Sequence, residues 1–508
     1  MAGLVTVRRA ADGVLPKRVV VVGAGLGGLA AACHLAGRGH DVTVVERDAV
    51  PGGRAGRLEL AGYRFDTGPT VFTMPEILDA TFGAAGFETH EFVELAPVDP
   101  VYRATFADGS TVNVRRDREA MVEEIRSVCG ARDAAAFDGF CDWLRELYHV
   151  EMTHFIDRNY DSVLDLARPV APLVALMRLG GLGKLAARVA RTFTDDRLRR
   201  LFSFQAMYAG LAPYQALALF GIITYMDTVR GVFFPRGGMH AIPTGLAAAA
   251  EKAGVRFRYS APVERVLLER DTSGPVRGVR LRSGESLRAD AVVCNVDLPV
   301  AYRTLLPGTG VPRRARTGRY SPSALVWHAG VRGTPPAEAA HHNIHFGRAW
   351  NESFRALIDE GRRMPDPSVL VTLPTHGDRS LAPEGRTVLY GLEPVPNLDG
   401  RVRWDAERSR ARDELVARIA AHGYPTDVEV EQLVDPSDWE RLGMERGTPF
   451  ALAHRFRQSG PLRPGNVNRR VPGLVFVGSG TVPGVGVPMV LLSGRLAAER
   501  VDRMERAA

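Results

Sequence analysis

The sequence predicts an α/β fold interrupted by a mixed α+β part, and three observations carry that prediction. A β-branched strand near the N-terminus, Arg18–Val22 (RVVVV), runs straight into a glycine turn and then into the helix-forming LAAACHLAGRG. Strand patterns return in the middle of the chain, between residues 255 and 297. Close to the C-terminus GLVFVGSG is again a strand entering a glycine turn, and PMVLLSGRLAAERV behind it has helical composition. Strand and turn patterns this far apart read as pieces of one domain, with other material inserted between them.

The first piece is the most specific. After RVVVV comes Gly23-Ala24-Gly25-Leu26-Gly27-Gly28, then the helix, then the strand DVTVVE ending at Glu46, eighteen residues after Gly28. Strand, GxGxxG, helix, strand and acid in that order predict a Rossmann-type dinucleotide site. Gly23 permits the tight turn, Gly25 lets the backbone approach a pyrophosphate, and Gly28 lets helix and strand pack closely. The helix N-terminus offers free N–H groups and a favourable dipole to the phosphates. Glu46 is placed to accept hydrogen bonds from the ribose hydroxyls of an adenosine half.

The next stretch selects the dinucleotide. RDAVPGGRAGRLELAGYRFDTGPTVF sets Gly52-Gly53-Arg54 just behind the acid, where Arg54 can reach back to the pyrophosphate. The turn that follows, with Gly68 and Pro69, can lie beside an isoalloxazine. An NAD domain would proceed to another helix and strand, so the expected cofactor is FAD, in an amine-oxidase-like flavoprotein fold.

In the middle piece, 255–259 and 263–269 read as strands and VRGVRLRSGESLRADAVVCNVD as a strand pair followed by a buried strand. Val263 is the expected adenine contact, through its backbone; as a core valine it would look the same in the sequence. In the last piece Gly478 and Gly480 are expected to let the backbone approach the ribityl-phosphate side. Gly486, Val487, Pro488 and Met489 are expected to start a helix against the flavin ring, with proline in the first turn where a missing N–H costs nothing. The FAD-binding domain is therefore assigned to 17–90, 232–300 and 465–508. A discontinuous mixed α+β substrate domain takes 91–231 and 301–464.

Composition excludes several classes of function. The chain has 508 residues, 45% hydrophobic and 24% charged, with a formal net charge of +7 carried far more by arginine than by lysine. That is enough to bury a large core across two domains, and nothing suggests wholesale disorder. The mild basic excess suits an anionic membrane surface or a solvated exterior; without zinc-finger spacing or an RNA-binding aromatic motif, no nucleic-acid partner is expected. Cys33, Cys129, Cys141 and Cys294 are scattered, which argues against a disulfide scaffold or zinc site and for a reducing cytoplasm. The first seventeen residues lack an apolar signal core and read as a loose tail. The stretch 201–226 carries no charge and is long enough to span a bilayer, yet Gln205, Pro213 and Gln215 make it a poor lipid-facing helix. A buried helix pair lining an apolar interior is expected there.

With these pieces in place the chain resembles the bacterial carotenoid desaturase family over nearly its full length. The first glycine turn and GYRFDTGPTVFTMPE would fit many flavin oxidases, whereas GVFFPRGGMHAIP and FVGSGTVPGVGVPMVLLSGRLAAERV are more specific to this family. The resemblance implies FAD-dependent dehydrogenation of phytoene, a C40 polyene, and of partly desaturated carotenes, in successive steps toward lycopene. It also implies quinone or oxygen as electron acceptor, and a cytoplasmic protein lying peripherally on the membrane. Alternatives are a related flavoprotein that isomerises a carotenoid, or one that acts on a neurosporene-type or C30 substrate. One departure stands out: the family usually carries a polar residue, often histidine, where Val482 stands in GTVPG.

Few side chains advertise chemistry. Arg236 and His240 flank the glycines of FFPRGGMHAIP at the expected crossing between domains, and are the candidates for proton removal or cation steering. The alternatives are an ion pair for Arg236 and a core or helix-start role for His240. His341, His342 and His345 lack a carboxylate or cysteine to complete a metal set, so no metal is expected and a strand is the better reading. The stretch 166–194, from Leu166 to Thr194, has five basic residues, no acidic one and many leucines, valines and alanines. It reads as a surface lying in the membrane interface, with an ordinary amphipathic helix pair as the alternative.

Overall fold

The structure, a computed structural model, describes residues 15–504. Residues 1–14, most of the expected N-terminal tail, and 505–508 lie outside the described residues. Lys17, the last residue of that expected tail, is instead buried, its Nζ donating to the Val501 carbonyl at 3.0 Å. The chain is therefore already anchored to the C-terminal helix before the first strand begins.

Strands from three distant parts of the sequence form one parallel five-stranded sheet. Its order is Leu474–Phe476, Ala291–Cys294, Arg18–Val22, Asp41–Val45, Arg256–Arg258. The Val-rich runs belong inside such a sheet, because both faces are covered and alternation is lost. Helix Leu26–Gly37 is buried along almost its whole length, as its alanines and glycines require. Helix Val487–Asp502 lies directly against it: a Cβ on Gly494 would stand 2.6 Å from the Ala31 nitrogen and 2.8 Å from the Gly27 carbonyl oxygen. The first and last helices of the chain thus touch backbone to backbone.

A second sheet of seven strands runs in the order Asp427–Val434, Ser323–Arg332, Arg386–Val395, Val369–Thr372, His342–His345, Tyr102–Thr105, Thr111–Val114. It is antiparallel except between His342–His345 and Tyr102–Thr105. The expected strand at the histidine patch is thus present, and among the described residues no group of three or more His, Cys, Asp and Glu side chains could hold a metal. Trp404–Ala421 packs against the strand Arg386–Val395 of this sheet and Arg118–Cys129 against Thr111–Val114, while the long helix Ala131–Glu151 packs among neighbouring helices.

The uncharged stretch 201–226 is not a helix pair. It forms short helical turns, Phe204–Ala209, Ala218–Phe220 and Gly221–Thr224, running into Tyr225–Val229. Gly210, at φ +73°, ends the first of these, and Pro213 cannot continue a helix behind it. Among the described residues no helix is long and apolar enough to cross a membrane.

Candidate functional site

A cavity of about 1510 Å³ starts at the carboxyl ends of the parallel strands and continues between the two sheets. Ligands of open α/β sheets bind at those strand ends. Gly23, Gly25, Glu46, Gly53, Arg54, Gly68, Pro69, Val263, Gly478, Gly480, Gly486, Val487, Pro488 and Met489 all line it. Gly28 does not. It lies beneath, where a Cβ would stand 2.1 Å from the Gly23 carbonyl oxygen, so its role is to close helix onto strand.

Local chemistry fits this end to a dinucleotide. Neither Leu26–Gly37 nor Val487–Asp502 has a side-chain cap on its N-terminus, and both N-termini border the cavity. Their free N–H groups and dipoles favour negative charge there, on a pyrophosphate at the first helix and on a reduced ring at the second. The Glu46 carboxylate accepts from the Ala24 N–H at 2.6 Å and the Asp48 N–H at 3.0 Å, which holds the acid beside the first glycine turn. Burial raises its pKa, and those two backbone donors oppose the rise. Each oxygen keeps acceptor capacity for ribose hydroxyls.

Asn295 and Asp297, which follow the strand Ala291–Cys294, stand in no sequence motif. The Asn295 side chain lies between the two glycine turns: a Cβ on Gly25 would stand 2.8 Å from its Nδ2, and one on Gly478 3.1 Å from its Oδ1. Asp297 occupies the N-cap of helix Leu298–Thr304 without capping it. Its Oδ2 accepts from Arg54 Nη2 at 2.7 Å, and its Oδ1 is buried at the cavity wall with no partner among the described residues. Arg54 also donates to Ser479 Oγ, so the two turns are linked by side chains as well. An unpartnered acceptor beside two helix N-termini and a cradle of glycines fits the phosphates and hydroxyls of FAD. The signal for these residues was available, since they stand at the carboxyl end of a parallel strand.

The turn at 478–489 is held from below by Arg463, which is fully buried. Its guanidinium donates to the carbonyls of Thr481 at 3.0 Å, Leu452 at 3.1 Å, Gln458 at 3.3 Å and Ser479 at 2.7 Å. Val482 is buried and borders the cavity with an apolar side chain. A histidine nevertheless stands at this turn, from elsewhere in the chain. His454 Nε2 accepts from the Val485 N–H at 3.4 Å, and burial, with Arg463 nearby, keeps its imidazole neutral.

Away from the glycine turns the cavity becomes an apolar arm, walled by Phe155, Ile156, Phe204, Ile222, Met226 and Phe346. Two carboxyls interrupt this wall, Glu151 at the end of helix Ala131–Glu151 and Asp227 in the turn Tyr225–Val229. His342 also borders it. Its Nε2 is 2.9 Å from Thr70 Oγ1, and burial holds its imidazole neutral. The arm reaches the surface at Leu182, 44% exposed, and Phe456, 64% exposed, both of which line it.

Arg236 and His240, the sequence candidates for chemistry, are not brought to the cavity. The Arg236 side chain is 72% exposed and pairs with Glu94 at 2.9 Å. The His240 ring packs behind the Gly52-Gly53-Arg54 turn, its Nε2 2.8 Å from the Pro51 carbonyl oxygen and close against Gly52. Each is tied into the structure by these bonds, which explains the positions without any chemistry at a substrate.

Residues 26–502 match the family described as flavin containing amine oxidoreductase. The chain is 49% identical over 497 residues to a phytoene dehydrogenase of Streptomyces griseus, covering 96% of both chains. It is 41% identical over 491 residues to a zeta-carotene-forming phytoene desaturase of Myxococcus xanthus, covering 96% of this chain and 94% of that one. Among solved structures an oxidoreductase from Methanosarcina mazei superposes with a TM-score of 0.63 at 18% identity, over 95% of this chain and 100% of that one. That likeness speaks for the fold.

Proposed function

Because the chain belongs to the flavin-containing amine oxidoreductases, and among them to the carotenoid desaturases, we propose that it desaturates phytoene in successive dehydrogenations toward lycopene, working from the cytoplasmic face of a membrane. The observation that carries this reading is the shape of the cavity: one volume joins the glycine-lined nucleotide end to an apolar arm that opens at exposed apolar side chains. An arm walled mainly by phenylalanine, isoleucine and methionine suits a long hydrocarbon.

When bound, FAD supplies the two-electron oxidation. The protein contributes position and environment. Gly23, Gly25, Gly53 and the Gly478 turn let its backbone come close to the cofactor, while Arg54, Glu46 and Asp297 offer one cation and two acids to the phosphates and hydroxyls. The N-terminus of Val487–Asp502 favours negative charge at the ring edge. The apolar arm aligns the polyene and excludes water. Arg236 and His240 enter this scheme only as supports of the surrounding loops. Quinone or oxygen would take the electrons onward.

The number of steps is the open part of the reading, since the Myxococcus relative is named for stopping at zeta-carotene. Cells that make only phytoene, given this protein, should accumulate more conjugated carotenes, resolved by chromatography with absorbance spectra. Lycopene as end product is the expected outcome. Zeta-carotene or neurosporene would shorten the series, a change of double-bond geometry alone would mean an isomerase, and phytoene untouched beside folded yellow flavoprotein would overturn the proposal.

A further inference from the structure

The carboxyls on the cavity wall divide by their partners. Glu46 accepts from backbone N–H groups, Asp297 pairs with Arg54, and Glu264 pairs with Arg280 at 2.7 Å. Asp366 accepts from the N–H of Arg348 at 2.5 Å, and Asp48 lies 3.6 Å from Arg47. Glu151 and Asp227, both in the apolar arm, pair with no cation among the described residues. A buried carboxylate without a counter-charge is costly, so a position that keeps one in an apolar wall invites a reason.

Asp227 is the better built of the two. It is 8% exposed, and its Oδ1 accepts from Thr228 Oγ1 at 2.7 Å. Around it runs a small polar network inside the hydrocarbon wall. Thr228 Oγ1 lies 3.4 Å from the Tyr102 hydroxyl, Gln205 Nε2 donates to that hydroxyl at 3.3 Å, and Thr224 Oγ1 donates to Gln205 Oε1 at 3.3 Å. Glu151 has no such support: its Oε1 is buried without a partner.

A carotene has no polar group for a carboxylate to bind. What a carboxylate can do to a hydrocarbon is remove a proton from carbon, and dehydrogenation needs that step. We propose that Asp227 is the base of the desaturation, its carboxylate taking the proton from the carbon next to the one that loses hydride. The inference rests on the desaturase reading and names the residue that reading lacks. At the proton-losing carbon the C–H bond breaks, its electron pair becomes the new π-bond, and the proton forms an O–H bond on Asp227. The hydride from the neighbouring carbon carries two electrons to the bound FAD, the oxidant of the family, and quinone or oxygen takes them onward. Asp227 returns its proton to solvent before the next step.

The electrostatics agree with this geometry. Burial pushes the Asp227 carboxyl up to about 7, and the hydrogen bonds from Thr228 and Gln205 restrain the rise. Among the described residues its charge is felt by Tyr102, from the seven-stranded sheet, and by Tyr208, from the turn Phe204–Ala209. Burial pushes the Tyr102 phenol up and the Asp227 charge raises both, so they stay neutral while the acid titrates. Near pH 7 Asp227 therefore exists in both forms, as a base must. Burial holds Glu151 well above the ordinary carboxylate range, and no hydrogen bond restrains that rise as it does at Asp227.

The test compares Asp227→Asn, Asp227→Glu and Glu151→Gln in the full-length flavoprotein, with phytoene supplied in liposomes. Asp227→Asn should keep flavin and fold but lose about a hundredfold or more in rate, together with the acid limb of the wild-type pH profile near 7. Asp227→Glu should recover part of the rate with a shifted limb, and Glu151→Gln should keep the limb. Infrared titration gives a readout without turnover: the C=O stretch of a protonated carboxyl should appear in wild type as pH falls through about 7 and be missing in Asp227→Asn. An Asp227→Asn rate within fivefold of wild type overturns the assignment, as does a limb that survives in Asp227→Asn or vanishes in Glu151→Gln. If Asp227→Asn does not fold, an unmoved limb in Asp227→Glu overturns it equally. Phytoene left untouched by wild-type flavoprotein brings down the desaturase reading instead, while the infrared titration still reports on Asp227.

Discussion

Arg463 shows how one buried residue can shape a site it never touches. Its charge is answered by four backbone carbonyls, and among the described residues it makes no ion pair. Burial brings its pKa down to about 10, still far above neutrality, so the cation persists, and four of its five N–H groups find a carbonyl. Two of those carbonyls, of Ser479 and Thr481, belong to the second glycine turn. Arg463→Met should leave four buried acceptors unpaired and lower the unfolding free energy by roughly 3–5 kcal/mol. Arg463→Lys should recover only part of the loss, because an ammonium cannot reproduce the planar fork. Denaturant unfolding followed by fluorescence measures the first effect, and flavin content per chain measures the opening of the turn. An unchanged midpoint with full flavin would contradict this account.

At the scale of elements, the helix Ala241–Lys252 receives its cap from another part of the chain. His240 at its N-cap makes no side-chain cap bond. Instead Asp66, from the strand Tyr63–Asp66, accepts from the Met239 N–H at 2.8 Å and the His240 N–H at 3.0 Å. Gly238 lies so close that a Cβ would stand 2.9 Å from Asp66 Oδ2, and its φ of +87° favours glycine in any case. Burial, the largest cause, pushes the Asp66 carboxyl up to about 6 against an ordinary 3.8. The sign follows: between pH 4 and 6 the folded chain binds more protons at this site than the unfolded one, so its stability falls as pH rises through that window. The contribution is on the order of 3 kcal/mol, fully present below about pH 4 and lost above about 6. Asp66→Asn, neutral at every pH, should remove this part of the slope in unfolding free energy. A slope identical to wild type would place the titration elsewhere.

At the scale of the molecule, what the sequence made legible was what is local. Gly23 to Glu46 could be read because turn, helix and acid lie within one stretch, and the turn at 478–489 because its glycines and prolines stand together. Asp227, Glu151 and Arg463 could not, because their roles come from burial among elements far apart in sequence. The helix Val170–Arg178 lies between these cases. Its composition announced an apolar segment, but only the fold shows that two faces are apolar: Leu173 and Leu176 line the cavity, while Val170, Val174 and Met177 are 59%, 36% and 57% exposed. The outward three recur at i, i+4 and i+7, one face of a helix. Leu164 at 65% exposure and Leu182 at 44% stand near this helix in the chain, Arg178 ends it, and Lys184, Arg188 and Arg191 follow it. Exposed apolar side chains with basic residues beside the opening of a hydrocarbon-walled cavity suit an anionic bilayer, from which a carotene would pass inward without crossing water. Replacing both Val174 and Met177 by Asp removes roughly 1.5–3 kcal/mol of burial for each side chain and adds charge of the wrong sign. Sedimentation with anionic vesicles should therefore weaken at least about tenfold, with flavin content and denaturation midpoint unchanged because neither side chain is buried in the fold. Turnover of phytoene delivered in vesicles should fall with it, whereas phytoene delivered in detergent micelles should be converted at close to the wild-type rate. Vesicle binding that survives the double substitution would move the docking surface away from this helix.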